Sequence, residues 1–434
     1  MRVCKTIILI LFINTLQSQT PLTLKEAVRI ALNNNYGIKL FNKDLDIAKA
    51  NNNWTNAGAY PSIKLTVNPS IVSNSVDQKF VNNTEINRKD AVQKNINSEI
   101  QLNYDILNGF KVFITKDKLK NIELLSQADL ELKVLSTYHD IAIIYYQILS
   151  LQNSITTLKS QEKIAEERKS LAENKFNLGQ TGKNAFLEAS IDQNEIIILV
   201  AKQNQAIKES YASLYQLMNV VKSDNYILID SLDYNSIKLI SKVTHSIDGS
   251  IEMKKFQLRL KIQELEKDEI KAQRYPNLNV LADYHYNRSE NQAGFNLFSQ
   301  SYGPGLGLQV TMPLYSGKRI NKQLAINSLE ADKIKLEESD WSAISSIRLK
   351  QEEDRMIHQL NLYELEHSKL VWAQENIDIL RRKFELGEAN SLEYSQALFK
   401  IIQINASEND ALFNFMVSNI NVNYLTSMLV NILN

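Results

Sequence analysis

Two stretches of the chain, Lys111 to Phe176 and Lys318 to Phe384, contain neither proline nor glycine. In the first, apolar residues recur at close to helical spacing, as at Leu119, Ile122, Leu125, Leu130, Leu132 and Leu135. Unbroken runs of this kind predict helices. At 1.5 Å rise per residue each reaches about 100 Å. A rod of that length has no place in a compact globular core, and the expectation is a coiled coil. Each run ends at a Leu-Gly break, Leu178-Gly179 and Leu386-Gly387, followed by a shorter helical pattern over about 184–221 and 392–432. Shorter helices over about 23–57 and 247–274 precede the strands. In each half the two short helices together match one long one. That fits a cylinder in which one helix descends and two stacked helices climb back.

The chain is a duplication. Tyr60-Pro61-Ser62 recurs as Tyr275-Pro276-Asn277, and Asn108-Gly109 as Ser316-Gly317. Lys175-Phe176-Asn177-Leu178-Gly179 recurs as Lys383-Phe384-Glu385-Leu386-Gly387. Three short matches in the same order mark an internal repeat. The expected organisation is a first repeat over 19–221, a linker over 222–246 in an equatorial belt, and a second repeat over 247–434. Pro61 and Pro276 read as helix-to-strand breaks. Gly179 and Gly387 read as turn residues that accept a positive φ.

Between the short and long helices of each half lie two segments that alternate with period two. Ile63, Leu65, Val67 and Ile71 alternate with Lys64, Thr66, Asn68 and Ser70. Ile96, Ile100, Leu102, Tyr104 and Ile106 oppose Asn97, Glu99, Gln101, Asn103 and Asp105. Leu278, Val280, Ala282, Tyr284 and Tyr286 oppose Asn277, Asn279, Asp283 and His285, and Tyr302, Leu306, Leu308, Val310, Met312 and Leu314 oppose Gly303, Gly305, Gly307, Gln309 and Thr311. Such strands have one apolar and one polar face. A half-buried soluble sheet gives the same pattern, but no other apolar layer is left in the sequence to cover four such strands. Strands in lipid must close into a barrel, and a barrel needs about eight strands or more. Four per chain therefore require two or three copies. Tyr60, Tyr104, Tyr275 and Tyr315 fall near strand ends, where interfacial aromatics gather.

Arg2, Lys5 and the apolar run Thr6 to Leu16 before Ser18 read as a cleavable signal peptide over 1–18. The sole cysteine, Cys4, lies within it, so no disulfide or thiolate chemistry is expected of the exported chain. No later segment is apolar enough for a transmembrane helix. The 49 basic and 49 acidic residues balance, which gives no broad field for nucleic acid. The histidines, His139, His245, His285, His358 and His367, have no metal-binding spacing, and no nucleophile–base arrangement emerges. Ser316-Gly317-Lys318 lacks the upstream glycine of a phosphate loop. The reading is of a protein that is not an enzyme, with no cofactor and no metal.

Together, the duplicated order, Tyr-Pro before a strand, Gly317 after Pro313-Leu314-Tyr315-Ser316, Phe-x-x-Gly at both Leu-Gly turns, and an opening helix Leu22-Thr23-Leu24-Lys25-Glu26-Ala27 resemble the TolC family of outer-membrane factors. The resemblance covers essentially the whole chain after residue 18. It implies an α+β membrane protein in which long periplasmic α-helical coiled-coil hairpins carry four β-strands into a trimeric twelve-strand β-barrel. It also implies a homotrimer in the Gram-negative outer membrane, serving a periplasmic adaptor and an inner-membrane pump of RND or ABC type. The function so implied is a passive export duct for drugs, toxic small molecules or secreted polypeptides. A non-conducting barrel-anchored spacer or adhesin and a soluble periplasmic scaffold are the alternatives. Family members constrict at the tip, beside the Leu-Gly turns, so Gly179, Gly387, Leu178 and Leu386 are the expected tip turns and adaptor contacts. Alignment on Phe384-x-x-Gly387 puts Glu393 at the family's first pore acid and Gln396 at the second; in the first half Glu188 is the nearest acid after Gly179. Glu393 has a second reading, because Asn390-Ser391-Leu392-Glu393 has the form of a capping box. The family's latch hydroxyl and arginine fall on Phe384 and Ala389, which lack that chemistry.

Overall fold

The computed structural model describes residues 20–221, 226–230 and 245–428. The expected signal peptide and most of the expected linker lie outside the described residues. The elements run β1 (Thr20–Leu22), α1 (Leu24–Asn34), α2 (Tyr36–Asn51), β2 (Ser62–Lys79), β3 (Glu85–Asn108), α3 (Lys111–Asn177), α4 (Lys183–Met218) and β4 (Tyr226–Leu228). They continue as α5 (Ile251–Ala272), β5 (Asn277–Asn291), β6 (Phe298–Thr311), α6 (Arg319–Leu386) and α7 (Ser391–Thr426). The duplicated order is therefore present, and α3 and α6 run unbroken for 67 and 68 residues. Among the described residues no helix is long and apolar enough to cross a membrane.

The chain divides into two compact units that cut across both repeats. One takes Asn42–Asp129 and Glu252–Asp340, the other Met1–Phe41, Leu130–Ile251 and Trp341–Asn434.

The first of these contains an antiparallel sheet of order β2-β3-β5-β6. Its register unites the alternating segments. The rung Leu65–Ile100–Tyr284–Pro304 and the rung Ile63–Leu102–Ala282–Leu306 lie on one face. Thr66–Glu99–His285–Gly303 lies on the other. The apolar face is open to solvent in the single chain, with Ile63 71%, Leu306 82% and Leu308 72% exposed. Each such side chain gains about 1.5–3 kcal/mol on leaving water. Among the described residues β2 and β6 pair on one side only, so both edges of the sheet are free. Pro69 and Pro304 lie on these edge strands, where a missing N–H is tolerated.

The strands differ from expectation in three details. β2 and β3 extend well beyond the alternating pattern, to 18 and 24 residues, because backbone pairing continues through polar sequence. Ile106 sits at a register irregularity between Asp105 and Leu107, so Leu107, not Ile106, pairs with Leu278. β6 stops at Thr311, short of Met312 and Leu314, as Pro313 has no N–H for the ladder. Pro276 directly precedes β5 soon after α5 ends at Ala272, whereas Pro61 directly precedes β2 well after α2 has ended at Asn51.

In the other unit a core gathers Leu22, Val28, Ile141, Tyr145, Ile148, Leu214, Met218 and Leu228. β1 pairs in parallel with β4, so Thr20–Leu22 is clipped to the few described residues between the repeats. The Tyr145 hydroxyl, with its single hydrogen, lies 2.9 Å from Leu22 O and 2.7 Å from Asp230 Oδ2, both acceptors within reach. Burial, with Asp230 beside it, pushes that phenol well above the usual tyrosine range. The single opening helix expected over 23–57 is broken at Asn35, whose extended backbone ends α1.

Both strand-to-helix connections pass through two consecutive left-handed residues: Gly109 (φ 64°) with Phe110 (φ 62°), and Gly317 (φ 62°) with Lys318 (φ 60°). The two glycines are not equivalent. A Cβ on Gly109 meets Ala272 O at 2.7 Å, while one on Gly317 meets nothing within 4 Å. Gly317→Ala should cost only the left-handed penalty, about 1–2 kcal/mol. Gly109→Ala adds a backbone clash and should lower the thermal midpoint distinctly more. Equal shifts in melting experiments would contradict this packing.

Candidate functional site: the helical tip

The unit that holds most of α3 and α6 places the two Leu-Gly turns at the ends of two helical hairpins, α3–α4 and α6–α7. The turns are alike. Gly179 has φ 70° and Gly387 φ 81°. Gly179 N donates to Phe176 O (2.9 Å) and Gln180 N to Lys175 O (2.9 Å); Gly387 N donates to Phe384 O (3.2 Å) and Glu388 N to Lys383 O (2.8 Å). These paired bonds cap the last carbonyls of α3 and α6, and the left-handed residue they need is glycine. Leu178 and Leu386 stand exposed at the turns.

The hairpins are joined by a core of Ala165 and Ile196 from the first and Ile377, Phe384, Tyr394, Leu398 and Ile401 from the second. Beside it lies a buried guanidinium. Arg168 of α3 pairs with Asp192 of α4, its side chain 1% exposed and that of Asp192 15%. Arg168 Nη2 also donates to Ser391 O at 3.0 Å and Ser391 Oγ at 2.6 Å in the first turn of α7. Ser395 Oγ donates to Asp192 Oδ2 at 2.6 Å. Arg168 lies 5.9 Å from the Tyr394 ring centre. The fork of donors thus ties three helices from both hairpins at one point. A second tie runs from Lys175 Nζ to Phe384 O, 3.0 Å, capping the end of α6. Burial raises the Tyr394 phenol above its ordinary pKa. None of this is a nucleophile–base array. Among the described residues no three His, Cys, Asp or Glu side chains are placed to hold a metal. The arrangement is a mechanical joint.

Residues 27–220 match the family model described as outer membrane efflux protein. The fold as a whole is that of solved outer-membrane channels. The chain is similar to CusC, a protein solved for the conformational changes accompanying folding and transmembrane channel formation, with TM-score 0.77 and 13% identity over 93% of this chain and 91% of that one. It is equally similar to the Campylobacter jejuni CmeC outer membrane channel, with TM-score 0.77 and 15% identity over 94% and 89%. The open state of the Neisseria gonorrhoeae MtrE outer membrane channel gives TM-score 0.70 and 11% identity over 93% and 88%. No curated protein matches in sequence. Residues 27–220 are thus similar to the outer membrane efflux protein family, and the fold is shared with solved outer-membrane channels.

Within this fold Glu393 closes the capping box expected of it. Its backbone N donates to Asn390 Oδ1 at 2.8 Å, and Asn390 N donates to Glu393 Oε2 at 3.4 Å. Glu393, Gln396 and Glu188 are accessible rather than buried. The two latch positions are apolar contacts. Phe384 is buried, stacked 5.5 Å from Tyr394, with Lys175 Nζ 5.0 Å from its ring centre; Ala389 packs on the same core. The polar tie rests instead on Arg168, Asp192, Ser391 and Ser395, which no sequence motif marks. One weaker signal exists: Leu158, Gln161, Ala165, Arg168 and Ala172 repeat at three and four along α3 and are all buried, so Arg168 occupies a seam position.

Asp192→Ala leaves Arg168 buried without its charge partner and should cost about 3–5 kcal/mol. Replacing both, as Arg168→Leu with Asp192→Ala, should cost less than Asp192→Ala alone. Amide exchange in the first turns of α7 measures this directly; an unchanged rate in Asp192→Ala would show that the tie does not hold the hairpins.

Proposed function

We propose that this chain is the outer-membrane duct of a tripartite export system. Drugs, toxic small molecules or secreted polypeptides pass through it, with energy supplied by an inner-membrane pump of RND or ABC type through a periplasmic adaptor. The single observation that carries the reading is the four-stranded sheet with one exposed apolar face and two free edges. Left alone it exposes apolar side chains and unpaired N–H and C=O groups, and lipid tolerates no open edge. β6 of one copy, laid against β2 of the next, continues the antiparallel alternation and has no free edge once the ring closes. Two copies give eight strands and three give twelve; the family resemblance favours three. The polar face then lines the lumen.

The helices support the same assembly. Leu365, Trp372, Ile379 and Leu386 repeat every seven residues along α6 and are 63%, 68%, 48% and 75% exposed. A heptad seam left open in one chain suits a neighbouring copy. Opening is a loosening of the tip joint by the adaptor, which meets the exposed Leu178 and Leu386 beside Gly179 and Gly387. The spacer reading predicts the same trimer without conductance.

Single-channel recording of the purified protein in a planar bilayer separates the two. Discrete conductance from a stable trimer is expected; a trimer that inserts but never conducts, even with Asp192→Ala, would favour the spacer. Gly387→Pro cannot adopt φ 81° and loses the bond to Phe384 O, so export by a complemented cell should fail while the barrel still assembles. Glu393→Gln keeps the cap geometry but removes a charge. It should lower cation preference if three copies ring the pore, and an unchanged reversal potential would leave Glu393 as a cap alone.

A further inference from the structure

The polar face of the sheet is not uniformly polar. Its register orders the side chains into rungs across the four strands. One rung is Lys64–Gln101–Asp283–Gly305 and the next is Thr66–Glu99–His285–Gly303. The rung on one side is Ser62–Asn103–Leu281–Gly307, and those on the other are Asn68–Asn97–Asn287–Ser301 and Ser70–Asn95–Ser289–Ser299. Every charged or titratable side chain across these five rungs therefore falls in two adjacent ones. The sequence alternation alone does not show this, because it needs the stagger of all four strands.

The layer is built, not scattered. His285 Nδ1 lies 3.1 Å from Asp283 Oδ2, and Glu99 is the direct cross-strand partner of His285. Opposite them β6 presents only glycine. A Cβ on Gly305 would fall 2.3 Å from Asp283 Oδ1 and 2.9 Å from its Cγ, so the carboxylate occupies the space a side chain on β6 would take. Gly305 positions Asp283 by being bare. Glu99 and Asp283 outnumber Lys64, and ringed copies of a net acidic layer between low-dielectric walls focus a field that favours cations.

We infer that Lys64, Glu99, Asp283 and His285 form a charge-selective layer inside the barrel, separate from the tip, that discriminates permeating solutes by charge and favours cationic ones. This rests on the duct reading, in which the polar face lines the lumen.

The test is reversal potential under a salt gradient, recorded on full-length trimers carrying Asp192→Ala so that the tip does not limit the current. Glu99→Gln and Asp283→Asn should each reduce the cation-to-anion permeability ratio by about twofold or more, and Lys64→Gln should raise it. Gly305→Ser, which leaves the charge count unchanged, should alter the ratio or the conductance by displacing the carboxylate. Conducting trimers whose ratio is the same in all four variants would overturn the layer while leaving the duct intact. Trimers with no conductance at all would overturn the duct reading and the layer with it.

Discussion

Two unpaired strand edges and one apolar face are the constraint on which the rest of this protein depends. β2 and β6 each carry a row of backbone donors and acceptors with no partner strand among the described residues, and the rungs between them present Ile63, Leu102, Ala282 and Leu306 on one face. Neither problem has a solution within one chain. A soluble fold would cover the face with a helix and shield the edges with charge or a loop. Here the chain leaves the sheet through a short glycine connector on each side and enters helices of 67 and 68 residues. Association of identical copies edge to edge would satisfy the edges, and lipid around the closed ring would cover the apolar face; residues 27–220 are similar to the outer membrane efflux protein family.

Duplication supplies two equivalent hairpins, yet the tip treats them differently. Their turns are the same motif with the same glycine. Beyond the turns, α7 begins with a full capping box on Asn390, whereas α4 begins at Gly182 without a side-chain cap. The buried Arg168 bonds across to the first turn of α7, where the positive end of a helix would repel it; Asp192 offsets that repulsion. The result is a joint that is polar and directional on one side and apolar, through Phe384 and Tyr394, on the other. A buried ion pair contributes little net stability but is costly to half-remove.

Local signals reach as far as local physics does. Long helices are legible because missing breakers and three-to-four periodicity act within one turn, and α3 and α6 begin and end within a few residues of the expected positions. The strands are legible only where they alternate: the polar extensions of β2 and β3 are held by pairing with each other, which no single stretch reveals. The break at Asn35 has a sign in Asn33-Asn34-Asn35. Arg168 escapes notice because a charged residue on a long helix reads as solvated surface unless its place in the buried seam is recognised.

The sequence by itself determined the duplication, the rods, the glycine turns, the amphipathic strands and the resemblance to an outer-membrane family, since each depends on neighbours close along the chain. Only the tertiary structure decided which faces of four distant strands coincide, that Lys64, Glu99, Asp283 and His285 fall in two adjacent rungs of the polar face, that the strand edges stay open, and that Arg168 meets Asp192, Ser391 and Ser395. These depend on stagger and on contacts between residues far apart in the chain, such as Arg168 and Ser391. A shift of one residue in register would turn every strand side chain to the opposite face.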